Sequence, residues 1–147
     1  MNALANILLV EDNPDDFEAT SRSLQRNHFV NPVRWCRTGR DAIDYLRHGG
    51  VYAGDAKVLR PDLILLDLNM PGIDGRKVLE IIKSDDDLKS IPVVVLTTSR
   101  DSKDVDQCYA IGANTYIQKP VSFEGLTQAI GAMKDYWFGI AILPRTE

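Results

Sequence analysis

Acidic residues in this chain stand where apolar runs break off. Glu11-Asp12 follow Ile7-Leu8-Leu9-Val10, and Asp67 follows Leu63-Ile64-Leu65-Leu66. Short continuous apolar runs of this kind read as strands buried on both faces, so each acid sits where a strand leaves the core. Thr97 closes a third such run, and Lys119 follows a fourth. Carboxylates brought together repel and raise one another's pKa, which calls for a cation. Hard oxygen ligands on an open rim suit Mg²⁺, which keeps several waters and takes one or two carboxylates plus phosphate oxygens. A hydroxyl at Thr97 and an ammonium at Lys119 complete a set of groups suited to a phosphoryl group. Alone, Thr97 is an ordinary strand residue and Lys119 an ordinary surface lysine; their conjunction with the acids carries the reading. Asp15 and Asp16 read differently, as acids favoured near a helix N-terminus.

The elements that must position these residues alternate along the chain. Asn6–Val10 is a first strand, and Pro14 opens a helix with a thin apolar stripe, Phe17 and Leu24. Pro32–Cys36 is a shorter strand whose alternation suggests a sheet edge. A helix starting at Thr38 or Gly39 carries Ala42, Ile43 and Leu46. Gly49–Arg60 reads as a loop or partly helical insertion. The Leu63–Leu66 strand follows, then a helix capped by Asp74 with Val78, Leu79, Ile81 and Ile82 inward. Pro92–Thr97 is an interior strand, and a helix from about Ser102 ends at Gly112. Thr115–Ile117 is a fifth strand, and Phe123, Leu126, Ile130 and Met133 mark a fifth helix. Five such units predict an α/β fold: a doubly wound, five-stranded parallel sheet of flavodoxin-like order 2-1-3-4-5 with five helices. In that order the first and third strands are neighbours, so Asp12 and Asp67 end at one rim, where ligands of such sheets bind.

Composition limits the alternatives. The 147 residues suit one domain. A net charge of −4 argues against nucleic acid, whose backbone needs a basic face. No apolar run approaches the roughly 20 residues of a membrane span, and the start has no basic segment of a signal peptide. A cytoplasmic location is expected. Cys36 and Cys108 lack metal-like spacing and read as buried thiols; His28 and His48 read as surface residues.

Over roughly residues 5 to 136 the sequence resembles the receiver domain of two-component response regulators. The matching motifs are Glu11-Asp12, the turn Asp67-Leu-Asn69-Met-Pro71-Gly72-x-Asp-Gly75, Thr97, and Lys119-Pro120. The resemblance implies a signalling protein rather than an enzyme, with Asp67 as phosphate acceptor and a histidine kinase as partner. It implies that Asp12 binds Mg²⁺ directly, that Glu11 helps through water, and that Asn69 offers its main-chain carbonyl. Thr97 would be the switch hydroxyl, Tyr116 the switch aromatic, and Lys119 the partner of the phosphate. A cis Lys119–Pro120 bond would aim the lysine at the site. Two decoys fail: an EF-hand reading of Asp67-x-Asn69 lacks the glutamate at its twelfth position, which is Val78, and a dehalogenase-type phosphatase wants an aspartate where Asn69 stands.

The division expected is a receiver over 1–136 and a tail over 137–147. Tyr136, Trp137 and Phe138 are three consecutive aromatics that cannot all face one core, and Ile140, Ile142 and Leu143 add apolar surface. The tail either folds back or pairs with another chain. It resembles, with the insertion, the single-domain receivers that serve bacterial phytochromes, which implies a homodimer through the fourth and fifth helices and the tail. Two other classes remain: a phosphorylation-independent dimeric adaptor, against which the intact acid pair, Thr97 and Lys119 speak, and an FMN binder, whose phosphate the acids after the first strand would repel.

Overall fold

The computed structural model describes residues 6–144. Its strands are β1 (Ile7–Val10), β2 (Val33–Cys36), β3 (Leu63–Leu66), β4 (Val93–Thr97) and β5 (Thr115–Gln118). All pair in parallel in the order β2-β1-β3-β4-β5. The helices are α1 (Pro14–Arg26), α2 (Gly39–Arg47), α3 (Gly75–Ser84), α4 (Ser102–Ile111) and α5 (Phe123–Asp135). β1, β3 and β4 are buried along their whole length, which is why they are continuous apolar runs rather than alternating ones. Successive side chains then feed two cores. Leu8, Ile64, Leu66 and Val95 pack with α2 and α3 through Ile43, Val78 and Ile82. Ile7, Leu9, Leu65 and Val94 pack on the other face with Leu24, Leu126 and Ile130.

The thin stripe of α1 has a physical cause. Its inward positions include Thr20 and Ser23, and it meets α5 through polar contacts. Ser23 Oγ lies 3.3 Å from Thr127 Oγ1, and Asn27 Nδ2 donates to the carbonyls of Ser23 and Thr127 at 2.8 and 2.9 Å. Asn13 caps the helix by accepting from the Asp15 and Asp16 amides, as its place before Pro14 suggests.

The insertion is docked rather than free. Gly50–Tyr52 forms a 3₁₀ turn, and the buried Tyr52 hydroxyl donates to Asp41 Oδ1 at 2.6 Å while accepting from Arg34 at 2.8 Å. The tail divides. After α5 the chain widens into a π-helical turn, Tyr136–Ile140. Trp137 and Phe138 pack on the α1–α5 core, and Phe138 meets Phe29 with ring centroids 5.6 Å apart. Tyr136, Ile140 and Ile142 stay exposed. The thiols of Cys36 and Cys108 are buried, and His28 and His48 are exposed.

One close approach ties this packing to the rim. Gly75 opens α3 directly over the turn after β3, where its amide donates to the Leu68 carbonyl at 2.9 Å. A β-carbon there would lie 2.1 Å from the Asp67 carbonyl oxygen and 2.6 Å from Leu68 Cα. Those neighbours are backbone and cannot swing aside. Gly75→Ala should therefore destabilise the fold by about 1–3 kcal/mol, as overpacking does, measured as a lower midpoint in urea unfolding; an unchanged midpoint would show that the turn yields freely.

Candidate functional site

Backbone bonds gather the predicted residues at one end of the sheet. Val10 and Leu66 are register partners in β1 and β3, so the residues after them, Glu11 and Asp67, emerge side by side. The Asp67 amide donates to the Val10 carbonyl and the Glu11 amide to Cys36, each at 3.1 Å. Thr97 is the last residue of β4, and the Lys119 amide donates to its carbonyl at 2.7 Å. Each residue is thus placed by the ladder itself, on elements with little freedom.

Oxygens of Glu11, Asp12 and Asp67 lie within 4.8 Å of one another. Glu11 is 2% exposed and Asp67 8%. Lys119 Nζ bonds Glu11 Oε1 at 2.6 Å and Asp16 Oδ2 at 3.3 Å, and stands 4.0 Å from Asp67 Oδ1. Asp67 Oδ1 accepts from the Leu68 amide at 2.9 Å, which fixes its carboxylate plane. Thr97 Oγ1 is buried and has no hydrogen-bond partner among the described residues. Asn69 is exposed on the turn after Asp67, between buried Leu68 and Met70. Tyr116 is half-buried against the core, and its hydroxyl donates to the Ser99 carbonyl at 2.9 Å.

The electrostatics show an under-compensated negative cluster. Burial pushes the Glu11 carboxyl up to about 7; the Lys119 ammonium pulls against this, and the Asp67 charge adds to it. For Lys119, burial would lower the ammonium, but the bond to Glu11 and the charges of Asp67 and Asp16 outweigh it and raise its pKa. Three carboxylates, Glu11, Asp16 and Asp67, share one ammonium, and Asp12 stands beside them. A hard divalent cation with oxygen ligands fits this donor set; when bound, Mg²⁺ would supply positive charge to phosphate oxygens beside Asp67.

Two residues of the site were not singled out in the sequence. Asp16, read as a helix-end acid, turns its carboxylate onto Lys119; its place in the first turn of α1, above the same rim, was the available signal. Trp35 on β2 donates from Nε1 to the Glu11 main-chain carbonyl at 2.7 Å. Its ring stacks on Phe17 at 4.0 Å and lies under Arg37 at 4.7 Å. An indole N–H seeks an acceptor, but only the fold chooses which one. The expectation of a cis bond at Lys119–Pro120 is corrected: no cis peptide occurs among the described residues. The bond of the Lys119 amide to Thr97 already directs the side chain to the acids, and trans is the favoured form by about 0.5–1 kcal/mol.

Proton and metal would compete at Glu11. The carboxyl ionises at 4.5 in its unperturbed form and at about 7 in the fold, so the folded chain retains a proton across that window. Without metal, stability contributed by this group falls as pH rises from about 4.5 to 7. Mg²⁺ affinity should rise over the same interval and level off above it. Titrations followed by Trp35 fluorescence in a Trp137→Phe background at pH 5.5, 6.5 and 8 check this; an affinity independent of pH would contradict the shared site.

Comparison with known proteins agrees with this geometry. Residues 7–131 match the response regulator receiver domain family. Response regulator Rcp1 of Synechocystis sp. is 38% identical over 138 residues, covering 94% of this chain and 92% of Rcp1. The structure of its Mn²⁺-bound form superposes with a TM-score of 0.87, covering 96% of this chain and 99% of that one. The phosphorylated cyanobacterial phytochrome response regulator RcpA is 42% identical with a TM-score of 0.89, covering 97% and 99%. The probable methanogenesis regulatory protein FilR2 of Methanothrix harundinacea is 42% identical over 133 residues, covering 90% of this chain and 83% of FilR2. A parallel sheet in the order 2-1-3-4-5 with its acids, hydroxyl and lysine on one rim, together with these matches, makes the chain a member of the response regulator receiver domain family.

Proposed function

We propose that this protein is a phosphoacceptor switch that works as a stand-alone response regulator, with Asp67 taking a phosphoryl group from the phosphohistidine of a histidine kinase. An Asp67 carboxylate oxygen attacks phosphorus, the P–N bond to the donor imidazole breaks, and the imidazole leaves with that electron pair and takes up a proton. Asp12, Asp67 and the Asn69 carbonyl would hold Mg²⁺, with Glu11 acting through water. Lys119 shifts from Glu11 and Asp16 toward the phosphoryl oxygens as they bring about two negative charges. The observation that carries this reading is the buried, unpartnered hydroxyl of Thr97 on the rim shared with Asp67 and Lys119. A buried hydroxyl without a partner costs about 1–3 kcal/mol, and a phosphoryl oxygen is the acceptor that would relieve it. The test is labelling from acetyl phosphate: the wild type should gain an acid-stable, base-labile phosphate only with Mg²⁺, and Asp67→Asn should gain none. Full labelling of Asp67→Asn would move the acceptor elsewhere.

The relatives named as phytochrome response regulators support a bacterial phytochrome kinase as the phosphoryl donor, acting in the cytoplasm. No helix among the described residues is long and apolar enough to cross a membrane. The partner switch would be read by a homodimer through α4, β5 and α5, supported by the tail. Tyr109, Tyr136, Ile140 and Ile142 are exposed there, and aromatic residues are common anchors of such interfaces. Because Trp137 and Phe138 are partly buried against the core, truncating the tail would test folding as well as pairing. Ile140→Arg with Ile142→Arg is the cleaner test. Sedimentation should show a dimer for the wild type at tens of micromolar and a monomer for the variant; a wild type monomeric with and without beryllofluoride would remove the dimer.

A further inference from the structure

α4 is loosely fastened by apolar contact. Among the described residues of α4 only Cys108 is fully buried, whereas α3 buries Gly75, Val78, Leu79 and Ile82. What holds its N-terminal end is a polar chain. Arg76, the second residue of α3, reaches Asp104 Oδ1 with Nε at 3.0 Å and with a terminal nitrogen at 2.8 Å. The other oxygen, Asp104 Oδ2, accepts from Ser99 Oγ at 2.7 Å. Ser99 Oγ in turn accepts from the Asp101 amide at 3.3 Å, and the Ser99 carbonyl accepts from the Tyr116 hydroxyl. At its other end the Tyr116 amide donates to the Tyr109 hydroxyl on α4 at 3.1 Å.

These contacts form a continuous path. It begins at the Asp67–Leu68 backbone, on which Gly75 is packed, and runs through Arg76, Asp104 and Ser99 to Tyr116. It is separate from the path through Thr97. The Arg76–Asp104 contact is a two-nitrogen, charge-assisted one, the stronger and more directional kind, and both side chains are largely shielded, at 24% and 19% exposure. The Ser99 hydroxyl and the guanidinium together hold the Asp104 carboxyl below the usual carboxylate range, so it stays charged through neutral pH.

We propose that Asp104, clamped by Arg76, is a positioning residue of the switch. It fixes the loop between β4 and α4 so that the Ser99 carbonyl is presented to the Tyr116 hydroxyl, and so sets how strongly the phosphoryl site is coupled to Tyr116. The coupling part rests on Asp67 being the phosphoacceptor. Without the Asp104 carboxylate, Ser99 Oγ loses its acceptor, Arg76 keeps only its longer contact with Asp74 Oδ2 at 3.5 Å, and the loop is free to carry the Ser99 carbonyl away. Tyr116 is then released from one fixed orientation. Coupling between two sites is reciprocal: a phosphoryl mimic that favours the bonded Tyr116 must bind less tightly when that arrangement is no longer built in.

The experiment uses the full chain with Mg²⁺ and beryllofluoride. Asp104→Ala should weaken beryllofluoride binding roughly tenfold, within the usual range of such couplings, while Mg²⁺ affinity and Asp67 labelling persist. The Tyr116 ring signals in NMR should move toward averaged values already in the unliganded variant. Arg76→Ala should produce the same change, and the double variant no more than either single one. Wild-type Tyr116 signals and wild-type beryllofluoride affinity in folded Asp104→Ala would overturn the proposal. So would weakened binding with an unmoved Tyr116, since the effect would then not pass through the tyrosine. If Asp104→Ala does not fold, Ser99→Ala removes only the hydroxyl link, and the same Tyr116 shift or its absence decides. Failure of wild-type labelling would instead remove the phosphoacceptor reading, leaving the role of Asp104 to be judged from Tyr116 in the unliganded variants.

Discussion

The ion pair between Lys119 Nζ and Glu11 Oε1, 2.6 Å long, is the contact on which the organisation of this protein turns. It joins the end of β5 to the end of β1 across the two strands between them, so it exists only if β1, β3, β4 and β5 are in register. It is also a poor stabiliser in isolation. Both groups are nearly buried, and removing two charges from water offsets most of what their attraction returns. Its meaning is electrostatic: one ammonium faces Glu11, Asp16 and Asp67, while burial, against the pull of Lys119, pushes the Glu11 carboxyl up to about 7. A site balanced in this way is ready to exchange partners. Added cation would relieve the acids, and in the proposed reaction added phosphoryl charge would draw the lysine.

The sheet explains why these groups can be held so rigidly. Interior strands buried on both faces leave no choice of register, because a one-residue slip would exchange the two cores. Acids placed immediately after such strands therefore inherit the precision of the strand. The switch side is built differently. β5 is a half-exposed edge, α4 has one fully buried residue among those described, and polar bonds supply what apolar packing does not. An element fastened by a few directional contacts can take up a second arrangement at small cost, which suits a surface whose conformation partners would read.

Much of this was legible in the sequence because it rests on local pattern. The runs Ile7–Val10, Leu63–Leu66 and Val93–Thr97 announce strands buried on both faces, and the acids that end the first two announce the rim. Pro14 and Asp74 announce helix starts for similar local reasons. What was not legible depends on tertiary choice. Nothing in the order of residues says that the Trp35 indole takes the Glu11 carbonyl or that Arg76 and Asp104 face each other from different helices, and the place of Asp16 in the first turn of α1 only hints that it bends back to Lys119. The three aromatics of the tail had to divide between core and solvent, but only the packing of Phe138 against Phe29 shows how.

The central claim is that the acids, Thr97 and Lys119 form a single site for a phosphoryl group and a divalent cation. A crystal structure of the protein soaked with Mg²⁺ and beryllofluoride tests it most directly. The account predicts the beryllium bonded to an Asp67 carboxylate oxygen, with Thr97 Oγ1 and Lys119 Nζ each within hydrogen-bond distance of a fluorine and the metal between Asp12 and Asp67. Beryllofluoride bound elsewhere, or on Asp67 with Thr97 Oγ1 still unpartnered and Lys119 still on Glu11, would contradict it.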